Sequence, residues 1–324
     1  GGIVTNYQNS ETHNRVVGAD ATIRFFSSSG FNTWFAQTWT KDGAEDGTAA
    51  GYAGLTLRND QGNVAVDYTN VGENFNPALG FVQRRDMVRY GGTAAWTPRF
   101  EESTWARQYV LRGLWSYIEG QDGRKQSDQA VLHNSLRFQN GNYILVGLTH
   151  KWERLDESFF IRPDVEIPAG DYPYNYAGVL FRTNDSKEFS ANGVTHYGDF
   201  WNGTWFQYGG GVTWKTGPHL ELTGSFDRRE IDLPVENGEF ETTIFGLEVL
   251  GALSRKLFAN ALVQYDNVSE TIQANVRIDW IHTPGSDLFL VLNTGYFAGD
   301  LMDPRDERWV NRAGVIKLTY LKAF

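Results

Sequence analysis

The sequence contains no cysteine, few prolines and no long apolar run. Without cysteine, the chain has neither a disulfide framework nor a thiolate-ligated metal site. No segment approaches the roughly 20 consecutive apolar residues that a membrane-spanning helix requires. An excess of positive charge is also missing. The formal net charge is −10, which argues against nucleic acid as a partner because phosphate binding needs surplus lysine and arginine.

Glycine and aromatic residues are abundant, with 35 Gly, 11 Trp and 15 Tyr. This composition favours a sheet protein with tight turns. A negative mean hydropathy does not exclude a membrane barrel, because a wet lumen offsets the lipid-facing residues in the average. The chain begins at Gly1 without methionine, so we expect a processed chain or a part of a longer one.

A period of two is clearest near the carboxyl end of the chain. One side of this segment comprises Ile272, Ala274, Val276, Ile278 and Trp280, and the other comprises Gln273, Asn275, Arg277 and Asp279. Such alternation predicts a β-strand with one apolar and one polar face. The same pattern places Tyr109, Leu111, Gly113, Trp115 and Tyr117 on one side of an earlier strand. Either a protein core or lipid must cover these apolar sides.

The strands recur at roughly 10 to 14 residues, longer than the soluble mode and long enough to cross a bilayer at a tilt. Their connections alternate between two kinds. Short, turn-like connections are expected at 27–30, 59–62, 139–142, 215–218, 254–256 and 283–286. Longer or more charged ones are expected at 41–47, 71–86, 119–126, 155–174, 233–239 and 298–310. This asymmetry is typical of an outer-membrane barrel whose short turns lie in the periplasm.

We therefore predict an all-β fold, an antiparallel transmembrane β-barrel of about 18 strands, with 16 as the next alternative. Both termini would be periplasmic, and residues 1–324 would form a single outer-membrane barrel domain. Trp and Tyr residues toward the strand ends, such as Trp39, Trp96 and Trp214, fit aromatic girdles at the two membrane interfaces.

Several segments are specific enough to suggest a family. They are "NRVVGADA", "GENFNPALGFVQRRDMVRYGG", "ERLDESFFI", "IPAGDYPYN", "GDFWNG" and "RIDWIHTPGSDLFLVLN". In this order they resemble the carboxyl-terminal barrel of a family of bacterial outer-membrane proteins. Members of that family often carry a domain resembling a family 9 carbohydrate-binding module ahead of the barrel. The resemblance implies a barrel fold and an outer-membrane location. It implies no catalytic residues, since none are established for the family.

The last residues, "VIKLTYLKAF", place Ile316, Leu318, Tyr320 and Phe324 on one face. A terminal aromatic residue after alternating apolar residues resembles the signal that the barrel-assembly machinery recognises. We expect Tyr320 and Phe324 to form this assembly signal. Lys322 falls on the outward side, where it could reach lipid headgroups.

Two long connections are the main candidates for a functional site. In the segment 71–86, an apolar middle is followed by arginines, so the loop is expected either to fold into the lumen and narrow it or to pack on the barrel mouth. In the segment 155–174, the apolar content predicts a plug or a docking surface. The residues expected at the constriction or plug are Phe75, Leu79, Phe81, Arg84, Arg85, Arg89, Phe159 and Phe160.

No pattern predicts a metal, a cofactor or a catalytic centre. The acidic segments around Asp46 and Asp303 lack the spacing of a calcium loop. The six histidines are scattered, and the nucleophile motif GxSxG does not occur.

The first expectation for function is an outer-membrane channel for passive or facilitated diffusion of small hydrophilic solutes. The second is a plugged barrel that anchors or binds a surface protein or glycan, and the third is an outer-membrane hydrolase. The expected partners are the lipid bilayer, lipopolysaccharide, the barrel-assembly machinery and a surface or periplasmic protein.

Overall fold

The computed structural model describes residues 1–26, 28–298 and 309–321. Phe324 and Lys322 of the expected assembly signal, and the acidic segment that contains Asp300, Asp303 and Asp306, lie outside the described residues. Within the described part of the chain, the regular structure is entirely β. No helix in that part is long and apolar enough to cross a membrane.

The described residues form 20 strands in sequence order. The first ten are β1 (Gly2–Gln8), β2 (His13–Phe25), β3 (Ser29–Thr40), β4 (Ala49–Asn59), β5 (Gly62–Val71), β6 (Met87–Trp96), β7 (Ala106–Glu119), β8 (Lys125–Phe138), β9 (Tyr143–Leu155) and β10 (Phe159–Arg162). The others are β11 (Val165–Ile167), β12 (Gly170–Arg182), β13 (Phe189–Phe200), β14 (Gly203–Lys215), β15 (Leu220–Asp232), β16 (Glu239–Ser254), β17 (Leu257–Asp266), β18 (Thr271–Thr283), β19 (Ser286–Phe297) and β20 (Trp309–Thr319).

One antiparallel sheet contains 18 of these strands, and β10 and β11 pair separately as a hairpin. The prediction of an all-β fold is confirmed, and the large antiparallel sheet contains 18 strands rather than 16. The chain divides into two compact units. Unit 1 comprises residues 1–137 and 145–177, and unit 2 comprises residues 138–144 and 178–324.

In unit 1 the register gathers apolar side chains on one face. Tyr68 lies opposite Tyr90, and Tyr90 lies opposite Tyr117, with ring centroids 5.5 and 6.4 Å apart. Leu111 lies opposite Trp96, so the face predicted from the sequence of β7 is present. We call this the apolar face of unit 1. Its opposite, the polar face, carries residues such as Asp67, Arg89 and Arg112.

In unit 2 the same alternation continues from strand to strand. Ile278 pairs with Leu290, and Leu290 pairs with Ile316, so each apolar side chain meets another across the ladder. The apolar face of unit 2 therefore includes the predicted side of β18. Its polar face carries Asn275, Arg277 and their neighbours in register.

The apolar faces are not covered by any other part of the described chain. Ile278 is 37% exposed and Trp280 is 45% exposed. In unit 1, the exposed apolar side chains include Val64, Val66, Trp96 and Trp115. The sheet is a single layer here, because neither a second sheet nor a helix lies on this side among the described residues.

The predicted alternation of connections holds only in part, and the connections 97–105, 201–202 and 267–270 are among the exceptions. On the side of the short turns, the connection 97–105 is longer than its neighbours and is held to β7 by an isolated bridge between Arg99 and Gln108. On the side of the long loops, β13 and β14 are joined by a tight turn at Trp201 and Asn202. Trp201 adopts φ 51°, the positive dihedral that a two-residue hairpin turn requires.

Candidate functional site

The connection 72–86, the first of the two predicted plug segments, begins at a backbone contact that only glycine permits. A Cβ on Gly72 would lie 2.1 Å from the carbonyl oxygen of Gly47. That carbonyl accepts a 2.9 Å hydrogen bond from the amide of Asn74. Gly47 itself has φ 63°, in the left-handed region that favours glycine. These contacts tie the start of the connection to the neighbouring connection 41–48.

Phe75 anchors this connection on the polar face of unit 1. Its side chain is only 6% exposed. The ring packs in a cluster with Ala36, Ala50, Val71, Val82 and Met87. Four of these six residues are direct partners across the ladder from β3 to β6, so they line the same face as Asp67 and Arg89. The connection therefore folds over the polar face rather than away from the sheet.

Asn14, on β2, fixes the backbone of the connection. Its side chain is buried, and its Nδ2 donates to the carbonyl oxygen of Asn76 at 2.7 Å. Its Oδ1 accepts from the amide of Ala78 at 3.0 Å, and Thr38 Oγ1 accepts from the amide of Asn76 at 3.3 Å. Buried polar groups normally need such partners, and here the partners are loop amides and carbonyls. Asn14 thus hydrogen-bonds to the residues before and after Pro77.

Gln121, in the connection between β7 and β8, holds both ends of the same segment. Its Nε2 donates to the carbonyl oxygens of Val71 and Met87 at 3.1 and 3.3 Å. The backbone amide of Gln121 donates to Asp86 Oδ1 at 3.1 Å. The segment 72–86 is consequently pinned at its entry, its middle and its exit.

The three arginines predicted at the constriction have separate partners. Arg89 forms an ion pair with Asp67 on the neighbouring strand of the polar face. Arg84 donates to Gln126 Oε1, and Arg85 donates to Asn76 Oδ1 at 2.8 Å. Arg84 and Arg85 are both exposed, and each hydrogen bonds to a neutral side chain, so their positive charges are not neutralised by these contacts.

Two apolar side chains in the middle of the segment are exposed. Leu79 is 62% exposed and Phe81 is 89% exposed. The structure therefore separates Phe75, which is buried, from Leu79 and Phe81, which the sequence had grouped with it.

The second predicted plug segment contains the β10–β11 hairpin. Val165 and Ile167 are completely buried, and Phe159 is half-buried, whereas Phe160 is 63% exposed. Tyr172 and Tyr174 on β12 are buried too, and Tyr172 Oη donates to the carbonyl oxygen of Pro168 at 2.6 Å. Tyr174 Oη donates to Glu153 Oε2 at 3.2 Å. Val165 and Ile167 of the hairpin are thus covered by other residues of the described chain, as are the two tyrosines of β12.

No protein-family model matches this chain, and no curated protein is detectably similar to it. The functional interpretation therefore depends on the geometry described above.

Other predicted positions have simpler surroundings. Tyr320, the described member of the expected assembly signal, is exposed. Among the described residues, no group of three or more histidine, aspartate or glutamate side chains lies close enough to hold a metal ion.

Sequence reasoning missed the polar residues that position the loop. Asn14, Thr38 and Gln121 are ordinary polar residues at strand or turn positions, with no motif around them. Asn14 and Asn76 are 62 positions apart in the sequence, and no local pattern reports such a contact. The one available signal was the apolar content of 71–86, which identified the segment but not its partners.

Proposed function

We propose that this chain is a transmembrane β-barrel of a Gram-negative outer membrane and that it conducts small hydrophilic solutes by passive or facilitated diffusion. The observation that carries the proposal is the uncovered apolar face of both units. Monomeric proteins in water rarely expose contiguous apolar patches beyond a few hundred Å². The hydrocarbon core of a bilayer fits such a face, while the polar face would line the lumen.

The aromatic residues of unit 2 support a membrane boundary. Tyr208, Phe226, Phe245 and Tyr265 form a row across β14 to β17, with successive ring centroids 5.8, 5.1 and 6.5 Å apart. Immediately beyond this row, on the same face, Arg228 pairs with Glu230 at 2.9 Å and with Glu241. An aromatic belt followed by charges is the order expected where hydrocarbon gives way to headgroups.

The strand count and strand lengths support an aqueous lumen. Strands of 10 to 16 residues, as in β6 and β16, are long enough to cross a bilayer at a tilt. If 18 strands close, the interior is too wide for their side chains alone to fill, so water or folded connections must occupy it. With an even strand count both termini lie in the periplasm. Tyr320 and Phe324 would then serve the assembly machinery, and lipopolysaccharide would surround the outer half.

The segment 72–86, which covers part of the polar face of unit 1, would narrow this lumen, and the β10–β11 hairpin would narrow it further. Arg84 and Arg85 would contribute positive charge at the narrowing, since their hydrogen-bond partners are neutral. The channel would then favour small solutes and would discriminate by charge at this level.

A second function is favoured by the exposed side chains of the same segments. Leu79, Phe81 and Phe160 present apolar groups that a surface or periplasmic protein, or a glycan, could cover. In that case the barrel would be a plugged anchor or binding scaffold. The resemblance to the outer-membrane family with the appended carbohydrate-binding-like domain is compatible with both functions and stays a prediction. An outer-membrane hydrolase is the third and least favoured function.

Reconstitution into planar lipid bilayers separates the two leading functions. A channel gives stable, ohmic conductance steps, whereas a plugged anchor inserts into vesicles but stays silent. Insertion is checked independently by protection of the strands from protease in the same vesicles. A monodisperse protein in buffer without detergent would contradict the membrane location itself.

A further inference from the structure

The polar face of unit 2 contains a cavity that the predicted plug residues do not touch. Its volume is about 390 Å³, within the range of small-molecule sites. It lies beside the turns that follow β14 and β16, at the end of the sheet that carries the short connections. The lining residues used below are Lys215, Glu221, Leu250, Phe258, Arg277 and Asp279.

The register places these side chains in two adjacent rows. Each member of the first row is the direct ladder partner of the next: Lys215, Glu221, Leu250, Asn260 and Arg277. In the second row, Phe258 pairs with Asp279, and Asp279 pairs with Phe289. Antiparallel partners project to the same side, so both signs of charge and three apolar side chains share one face.

Arg277 is held in place without using its hydrogen-bond donors. Its guanidinium lies 4.9 Å from the centroid of the Phe289 ring, which favours a cation over the ring face. Its nearest acid is Asp279, at 4.0 Å from Nη2 to Oδ2, which is beyond hydrogen-bond distance. A guanidinium with unused donors can donate two parallel hydrogen bonds to one carboxylate.

Asp279 is under-satisfied as well. Its Oδ1 is buried and has no hydrogen-bond partner among the described residues, and the side chain as a whole is 23% exposed. A partly buried carboxylate in this state is stabilised by a cation that reaches its accessible oxygen, Oδ2. The carboxylate lies two residues from Arg277 on the same face, so a ligand with a carboxylate and an ammonium group on the same carbon could meet both groups.

Apolar contacts complete the site. Phe258 and Leu250 are on the polar face, yet they are 38% and 37% exposed beside the cavity. Exposed apolar side chains in a polar lining offer a place for an apolar substituent of a ligand.

We propose that this cavity binds zwitterionic α-amino acids with apolar side chains. The carboxylate would bind Arg277, the ammonium group would bind Asp279, and the side chain would contact Phe258 and Leu250. This inference rests on the proposed channel function only in treating the polar face as the lumen. It names amino acids as a solute class that the channel would pass or select.

Isothermal titration calorimetry with the full chain in detergent tests the site without requiring conductance. L-phenylalanine should bind in the millimolar range, since a channel site must also release its solute. Two analogues each remove one charge: 3-phenylpropionate lacks the ammonium group and phenethylamine lacks the carboxylate. Each should bind at least about tenfold more weakly, because each loses a charge-assisted contact. Absence of L-phenylalanine binding, or equal binding of either analogue, would overturn the proposal.

Variants add a second arm. Arg277→Gln and Asp279→Asn should each weaken L-phenylalanine binding by about tenfold or more. The matched control is Arg229→Gln, which removes an arginine that pairs with Asp227 at 3.2 Å on β15 and does not line the cavity. Folding of each variant is checked by heat-dependent mobility on gels. If Arg277→Gln folds and binds like the parent, the site assignment is wrong. A silent bilayer together with positive calorimetry would reject the channel but keep the site.

Discussion

The two units of this chain have the same strand pattern but different polar faces. In unit 1, the segment 72–86 folds back onto the sheet and buries Phe75 there, and the β10–β11 hairpin buries Val165 and Ile167. In unit 2, the described connections on the corresponding side are short, such as residues 267–270, and the polar face keeps an open cavity.

The distribution of buried apolar residues shows the same difference. In the described part of unit 2, only Ile231 and Leu233 are buried apolar residues, and the other buried apolar residues of the described chain belong to unit 1. The sheet itself does not need a protein core on either side to satisfy its backbone, because the ladder hydrogen bonds already pair the amides and carbonyls. A covered polar face is therefore an addition to the architecture, and we expect it to control passage rather than to hold the sheet together.

The largest effect is expected from a substitution that detaches the segment 72–86 from the polar face of unit 1. Phe75→Ala removes the ring that packs against Ala50 and Val71, so the free energy of opening the segment 72–86 should fall by about 3–5 kcal/mol. Hydrogen exchange of the segment's amides measures this opening, and limited proteolysis reports it independently. Phe81→Ala in the same segment is the control, and it should change little because Phe81 is already exposed. Equal effects of the two variants would mean that the segment is not anchored through Phe75.

A smaller effect is expected from the uncovered apolar face of unit 2. Ile278→Arg places a charge where we propose hydrocarbon, and the free energy of unfolding in lipid vesicles should fall by about 2–4 kcal/mol if the position is near the bilayer midplane. Asn275→Arg, on the polar face of the same strand, is the matched control and should change it far less. Denaturant titration of the reconstituted protein gives both values. Similar losses for both variants would argue that the two faces do not differ in environment.

The smallest of the three effects concerns the hydrogen bonds that Asn14 makes to the segment 72–86. Asn14→Ala leaves the carbonyl of Asn76 and the amide of Ala78 without their partner, which should lower the free energy of opening the segment by about 1–3 kcal/mol. In bilayers, the same variant should show larger fluctuations of the current as the segment detaches. The control is Asn32→Ala on β3, since Asn32 is exposed and its side chain makes no hydrogen bond within the described chain. An unchanged current trace in Asn14→Ala would mean that these hydrogen bonds do not affect the current.

The regular part of the fold was predictable from the sequence to a large extent. The predicted apolar faces of β7 and β18 are present in the structure. They could be predicted because strand alternation is a local property of the backbone. The two-residue turn at Trp201 was not expected, since a tryptophan with positive φ is rare in such turns.

The candidate sites were predictable only in part. The apolar content of 71–86 marked a segment with a role, but Phe75 and Phe81 are both aromatic and differ only in what surrounds them. The cavity beside Arg277 gave no sequence signal at all, because its lining comes from several strands that meet through the register.

The sequence by itself determined most of the strands and their two faces. Each depends on neighbours within a few positions, where the period of the backbone and the turn residues act directly. Only the tertiary structure decided which connections fold back over the polar face and which charges stay without partners. Those outcomes depend on contacts such as Asn14 with Asn76 and Phe258 with Asp279, whose members are brought together by strand pairing and loop packing rather than by their own local preferences.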